Sequence, residues 1–295
     1  MQTSRAFFVP ALLAVAALAA CGSSDDDQPA PPVAVPVAVG DTVALSVSGS
    51  VLSFDRATPA TLKGSIAVSG LQPNEKLVGL DVRPADGLLY ALSYQARLYT
   101  LDASTGVATF KAALSAAAGD DNPYTALTGS QFGVDFNPVA DRQRVISDSG
   151  LNLRINVDTG ATTTDGAINR AGVPPVVAGG AYGNSFAGAR STVLYDLDAA
   201  SAVLAQQVPP NDGTLVNVGA LAVPFSGAAS MDIAGGANGL VLAALRTGAA
   251  GPYTLYTVSL TTGAATLFRN TTGDATRSLI GGSAGPSVLD IAIRF

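Results

Sequence analysis

The 295-residue chain has no histidine, no tryptophan and one cysteine, and these absences remove whole classes of chemistry. Without an imidazole there is no histidine base to activate a serine or cysteine nucleophile. Zinc centres built on histidine and cysteine are excluded for the same reason. A lone cysteine forms no disulfide within the chain, so packing alone has to hold the fold. Lysine occurs three times, at Lys63, Lys76 and Lys111, and the formal net charge is −6. Nucleic-acid binding needs a cationic face that releases counterions, so DNA and RNA are excluded as main partners. Glutamate occurs once, at Glu75, so aspartate dominates the acidic side chains.

What is present begins with an address. Apart from Pro10, Ala6 to Ala20 is an uninterrupted apolar run, preceded by Arg5 and too short to span a bilayer. It reads as a secretory signal, residues 1–20. It ends Leu18-Ala19-Ala20-Cys21-Gly22, which resembles the lipobox of bacterial lipoproteins. That resemblance implies cleavage before Cys21 and acylation there, giving a membrane-anchored protein of the cell envelope. Several acyl chains anchor stably where one binds only marginally. Gly22 after the cysteine, by resemblance to enterobacterial sorting, implies the outer membrane. Residues 21–41 then carry prolines at 29, 31, 32 and 36 and form an extended stalk. From Gly22 to Gly40 it reaches on the order of 60 Å at about 3.1 Å per residue.

Residues 42–295 are long enough to bury a large core, and only 13% of the chain is charged. One phrase recurs through them. Leu98-Tyr99-Thr100-Leu101-Asp102-Ala103-Ser104-Thr105-Gly106 is matched by Leu255 to Gly263 and by Leu153 to Gly160, with looser versions at Leu194 to Ser201 and Leu52 to Pro59. Each runs in period-2 alternation into a turn of Asp, Ser, Thr, Gly or Pro and then resumes, which is the signature of a hairpin. A catalytic motif is rarely needed five times, so Asp102-x-x-Thr105-Gly106 is structural punctuation.

A second phrase ends in Asp81, Asp135, Asn184, Asp232 and Asp290, at intervals of 54, 49, 48 and 58 residues. That spacing fits small four-stranded units. The clearest unit reads as strands at 79–83, 87–93, 97–102 and 107–114. The segment 288–295 supplies a first strand alone, whereas 42–48, 50–55 and 62–68 supply three strands without a first. Joining them closes a ring and hides both sheet edges. The expected fold is therefore an all-β, five-bladed β-propeller with a shared closing blade. A six-bladed propeller or a β-sandwich is the alternative, because the unit at 174–222 has a weak second strand.

GLDVRPADGLLYALS with RLYTLDASTG, then GVDFNPVADRQRVISDSGLNLRINVDTG, then Leu194 through Gly213, resemble the bacterial domain-of-unknown-function family 4394. The resemblance covers nearly all of 42–295. It implies a propeller-like fold and no assigned activity. Quinone-cofactor propellers share the tyrosine and Thr-Gly hairpins but depend on tryptophan docking motifs, which are missing here.

Three groups of residues are candidates for a site. Pseudo-symmetry brings Asp81, Asp135, Asn184, Asp232 and Asp290 together near the inner ends of the blades. Oxygen ligands of this kind suit calcium, at Asp81, Asp135, Asp232 and Asp290, or else each carboxylate latches onto backbone of the next blade. In the second group Arg142 and Arg144 share one face of a strand, as do Asn152, Arg154 and Asn156 on the next. Three guanidinium groups would clamp a carboxylate or sulfate, or else pair with Asp141, Asp148 and the repeated aspartates. The third group is loop material, 119–124 and 209–213, with Tyr124 and Tyr182 as sugar-stacking surfaces or as packing. Gly281-Gly282-Ser283-Ala284-Gly285 fits G-x-S-x-G but lacks a helix and a base, and reads as a loop.

Two functions follow. One is a lipid-anchored extracytoplasmic binding or scaffold propeller for a glycan, small molecule or protein. The other is an aspartate-dependent hydrolase, a glycosidase or lactonase, with two carboxyls about 5–9.5 Å apart.

Overall fold

A computed structural model describes residues 35–236, 239–268 and 275–294. The segment expected to be a signal sequence, Cys21 and most of the expected stalk lie outside the described residues, as does Phe295. The strands form five small antiparallel sheets. The first blade holds β4 (Leu77–Val82), β5 (Leu89–Ser93), β6 (Arg97–Leu101) and β7 (Ala108–Ala113). The second holds β9 (Phe132–Asn137), β10 (Arg142–Ser147), β11 (Asn152–Ile155) and β12 (Ala161–Thr164). In the third are β13 (Val177–Tyr182), β14 (Leu194–Asp198), β15 (Val203–Gln207) and β16 (Leu215–Ala220). The fourth has β17 (Ala229–Ala234), β18 (Leu240–Leu245), β19 (Thr254–Val258) and β20 (Ala265–Leu267).

The closing blade is shared between the two ends of the body. Its inner strand is β21 (Val288–Ile293), and β1 (Thr42–Ser46), β2 (Ser50–Phe54) and β3 (Leu62–Ala67) follow outward. Thr42 pairs with Ile293, Ala44 with Ile291 and Leu45 with Asp290. The five-bladed ring expected from the repeats is thus the observed fold, with neither a sixth blade nor a sandwich among the described residues.

Burial follows from this geometry. A blade is covered on both faces, so its inner strands are buried almost throughout rather than alternately. In β1, Val43 and Leu45 pack towards the first blade while Ala44 packs towards the fourth. Apolar side chains fill all five seams, most sparsely between the second and third blades, where the cluster is only Ile146, Ile168, Val177, Ala205 and Leu215.

The Thr-Gly turns do more than reverse the chain. Gly106, Gly160 and Gly263 each have positive φ, and each donates its N–H to the carbonyl four residues back. A Cβ on these glycines would lie 2.7, 1.9 and 2.3 Å from the carbonyl oxygens of Ala67, Ala113 and Gly219 respectively. Those carbonyls end the outermost strand of the preceding blade, so the missing side chain lets neighbouring blades touch. Gly213, closing Pro209-Pro210-Asn211-Asp212-Gly213, does the same against Ala167 and Gly166 in the third blade. That loop is the third blade's counterpart of the Thr-Gly turn. The phrase Leu194 to Ser201, aligned above with the others, therefore sits one strand inward, between β14 and β15. Its run Leu194–Asp198 is the regular, fully buried second strand of the third blade.

The outer edges are covered in turn. Each segment leaving a blade bonds to the outer strand or turn of the next: Ala108 N to Ser69 O, Ala117 N to Thr162 O, Leu215 N to Asn169 O, Ala265 N to Leu221 O and Gly281 N to Pro59 O, all 2.8–2.9 Å. At the second blade the segment becomes a two-residue parallel strand, β8 (Ser115–Ala116). Exposed strand edges are sites of aggregation, and this overlap removes them.

Ring closure is testable. A chain ending at Ser287 loses β21, leaves β1 and β17 each with an open side, and is expected to be aggregated or to unfold without a cooperative transition by circular dichroism. A soluble monomer with an unchanged, cooperative transition would contradict the shared blade.

Candidate functional site

The five inner strands stand around one axis, and four of them carry the repeated aspartates, Asp81 on β4, Asp135 on β9, Asp232 on β17 and Asp290 on β21. Asp81 Oδ2 accepts the N–H of Phe136 at 2.8 Å, and Asp135 Oδ1 accepts that of Tyr182 at 2.9 Å. Asp232 accepts from Ile293, and Asp290 from Leu80 at 3.0 Å. Each carboxylate reaches an amide on the inner strand of the next blade, which is the latch. Asp81 and Asp290 also accept the N–H of the following residue, Val82 and Ile291.

The register of these bonds identifies the true equivalents. Asp81 and Asp135 each bond one residue beyond the equivalent position in the next strand, which makes Ala181, not Asn184, the counterpart in the third blade. Alanine has no carboxylate, so the third blade offers no such latch to the fourth. Asn184 lies past the end of β13, with φ of 54°, and donates to the carbonyl of Ser191. Asn184 is therefore a turn residue and not a member of the ring. By the same count the closing blade's equivalent is Ala292, and Asp290 sits one rung away.

What remains is a triad. One oxygen from each of Asp81, Asp135 and Asp232 lies within 4.8 Å of the others, and all three side chains are buried. Oxygen ligands at about 2.3–2.6 Å from one Ca²⁺ lie no more than about 5 Å apart, so the spacing admits one such ion. Asp290 falls outside that group. Burial pushes all four carboxyls up, Asp232 to about 6 and the others well above their ordinary value, with the charge of Asp232 adding to the rise at Asp81.

The arginine set is committed to the seams. Arg144 is 2% exposed, and its Nη1 reaches Asp165 at 2.6 Å and Asn152 at 2.8 Å. Its Nε and Nη2 cross to Tyr182 Oη and Asn211 in the third blade. Arg154 forks onto the same Asp165 at 2.7 and 2.8 Å. Asn152 donates to the carbonyls of Gly166 and Pro210. Arg142 reaches only the carbonyls of Ala140 and Asp141, and Asn156 caps its own turn. The partner is thus Asp165 rather than Asp141, Asp148 or the ring aspartates. Removing one member of such a buried pair costs about 3–5 kcal/mol, so this polar cluster welds the seam poorest in apolar contacts. Sequence reasoning missed its counterpart, Arg83, which bridges the first seam to Asp141 and Asp158 and also bonds Asp86 and Tyr90. Nor was Asp196 singled out. It is fully buried beside Arg144, and neither of its oxygens has a hydrogen-bond partner among the described residues. Burial raises its pKa to about 8, against the pull of Arg144.

Two concavities open on opposite faces. The larger, about 740 Å³, lies over the hairpin ends of the first blade, where Asp102 and Arg294 supply charge. Both are already engaged, Asp102 with Ser104 and Arg294 with the carbonyl of Gly40. The smaller, about 450 Å³, is the mouth of the axis on the face where the inner strands begin. Four of the five inner strands contribute to it, through Leu77, Phe132, Ala229 and Val288, together with Tyr94, Tyr253, Lys76 and Arg246. No motif in the sequence marks this mouth, because its residues flank strands in four different repeats. Tyr182 is buried within the seam and Tyr124 is part of the apolar packing of the second blade, so neither presents a stacking surface.

Two outcomes follow for the buried carboxylates. The latches are made of backbone bonds, so excess EDTA is expected to leave the melting temperature unchanged; a fall of several degrees, restored by Ca²⁺, would assign the triad to a cation. Asp196 holds its proton in the folded state up to about pH 8 and loses it near 4 when unfolded, so its burial erodes stability as pH rises between those values. Asp196→Asn is expected to flatten that decline and to raise the melting temperature at pH 8 by at least about 2 °C, the scale of 1 kcal/mol for a domain of this size. A pH profile parallel to the parent's would contradict it.

The match to the model of the family "Domain of unknown function (DUF4394)" spans residues 50–280. No curated protein matches the chain. Among solved structures, a protein of unknown function from Bacteroides thetaiotaomicron aligns at TM-score 0.49 and 14% identity, covering 87% of this chain and 64% of that one. A Lactobacillus plantarum protein aligns at 0.39 and 18%, covering 87% and 73%. Myxococcus xanthus glutaminyl cyclase aligns at 0.36 and 14%, covering 75% and 71%. None of these bears on activity. With five closed blades and a match over most of its length, the chain belongs to the DUF4394 family.

Proposed function

We propose that this protein is a lipid-anchored binding propeller of the bacterial envelope that takes its ligand at the axial mouth. The observation that carries the reading is the mouth itself: about 450 Å³, lined from four blades and with a mainly apolar wall. Ligand sites are concavities of this size range in which a few polar groups converge on an apolar surface. The ring aspartates are buried and each holds a backbone amide, so nothing observed favours the hydrolase reading.

Anchoring at Cys21 agrees with the way the chain enters the body. Residues 35–40 run along the face opposite the mouth, where Val37 donates to the carbonyl of Ser104 and Arg294 to that of Gly40. Antiparallel pairing puts the start of β1 on that face and Val47, after its end, at the mouth. The described chain therefore enters the body on the face opposite the mouth. The outer membrane, suggested by Gly22, is the membrane proposed.

Cys21→Ser is expected to move the protein from the membrane fraction to the soluble fraction without changing its melting temperature. Retention in the membrane fraction would overturn the anchor. A thermal-shift screen of small molecules is expected to find a ligand whose stabilisation disappears in Leu289→Asp; measurable turnover of a substrate by a variant with a blocked mouth would overturn the binding reading.

A further inference from the structure

The charge around the mouth goes further than its size. The chain carries 22 acidic and 16 basic side chains, yet among the described residues no acidic side chain lines the mouth, while Lys76 and Arg246 both do. They come from different blades, Lys76 just before β4 and Arg246 just after β18. Other arginines of the fold are spent on carboxylates: Arg83 on Asp141 and Asp158, Arg144 and Arg154 on Asp165, Arg170 on Asp198. Neither Lys76 nor Arg246 has an ion-pair partner among the described residues. Arg246 Nε approaches Ser226 Oγ at 3.5 Å, and its terminal nitrogens have no acceptor among the described residues. Its guanidinium stands 5.7 Å from the centroid of Tyr253, which holds the group in place without neutralising it.

The rest of the wall is apolar and aromatic. Tyr94 and Phe132, from the first and second blades, meet edge to face with centroids 6.1 Å apart. Val288 and Leu289 face the same space. Lys76 is exposed and Arg246 half-buried, so both offer their charge to a ligand at the mouth, and a charge-assisted bond to an anionic oxygen is among the stronger contacts a protein makes.

We infer that the mouth binds a small organic acid: a molecule with one anionic oxygen head held between Lys76 and Arg246 and an apolar or aromatic body seated on Tyr94, Phe132 and Leu289. This rests on the binding reading above and narrows it to a ligand class. The head is a carboxylate or a phosphate, since both offer the oxygens that an arginine fork and an ammonium accept.

The test is isothermal titration of the detergent-solubilised full chain at low salt with three probes: 3-phenylpropionate, the neutral 3-phenylpropan-1-ol and inorganic phosphate. The expected result is that the acid binds at least about tenfold more tightly than the alcohol, since a charge-assisted bond contributes about that factor or more, and at least about tenfold more tightly than phosphate, since burial of the phenyl ring contributes as much. Lys76→Gln with Arg246→Gln should reduce binding of the acid to that of the alcohol while the circular dichroism spectrum stays the same. Lys76→Gln alone, at an exposed position, provides the same comparison if loss of Arg246 disturbs Tyr253. Phosphate equal to the acid would mean a bare anion site and overturn the apolar half of the inference. Equal binding of acid and alcohol would overturn the anionic half and leave the mouth as a binding site. No binding of any probe would overturn the inference and the binding reading together.

Discussion

The pairing of β21 with β1 is the contact on which everything else rests. It joins residues some 250 positions apart, Leu45 to Asp290 and Thr42 to Ile293, so it is formed only by bringing the two ends of the body together. Loop-closure entropy grows slowly with length, and the gain is large: without β21 the inner strand of one blade is missing and two seams lose their cover. The chain has no disulfide to make this join covalent. It is held by ladder hydrogen bonds, by Ala44, Ile291 and Ile293 in one seam and by Val43, Leu45 and Ala292 in the other.

Two further devices repeat around that closed ring. Near the axis, aspartates accept backbone amides from the next inner strand; at the periphery, glycine turns and outgoing segments bond to the next blade. Buried carboxylates are costly in a dry interior, and their raised pKa values express that cost. The third blade departs from the axial pattern and builds the peripheral one from a different loop. Its axial position is Ala181, its outer turn is Pro209 to Gly213, and its seam with the second blade substitutes Arg144, Asp165 and Asn211 for apolar packing. Asp196, unpartnered beside that cluster, is the point where this substitution is least complete.

Much of the fold was legible in the sequence for a simple reason. Period-2 runs and Thr-Gly turns are local, so Leu98 to Gly106 and its relatives could be recognised without knowing what they touch. The split blade was equally visible, because 288–295 lacked partners that 42–68 could supply. Asn184 was misassigned because a short phrase can be matched a few residues out of register, and only the bond from Tyr182 to Asp135 reveals the offset to Ala181. Asp165, Arg83 and Asp196 carry no local signature; the partners that define Asp165 and Arg83 across the seams lie 11 to 75 positions away. The mouth was invisible for the same reason, being assembled from the ends of strands in four repeats.

The functional reading depends on the rigidity of that assembly, since a mouth built from four blades keeps its shape only while the ring stays shut. Native-state hydrogen exchange of the β1–β21 ladder tests this most directly. If closure is the constraint on which the fold depends, the amides that bond these two strands exchange only through global unfolding, with the same protection and denaturant dependence as those of β5 and β10. If they exchange through a separate, lower-energy opening while the other blades remain protected, the ring is not held by its closing blade and the account fails.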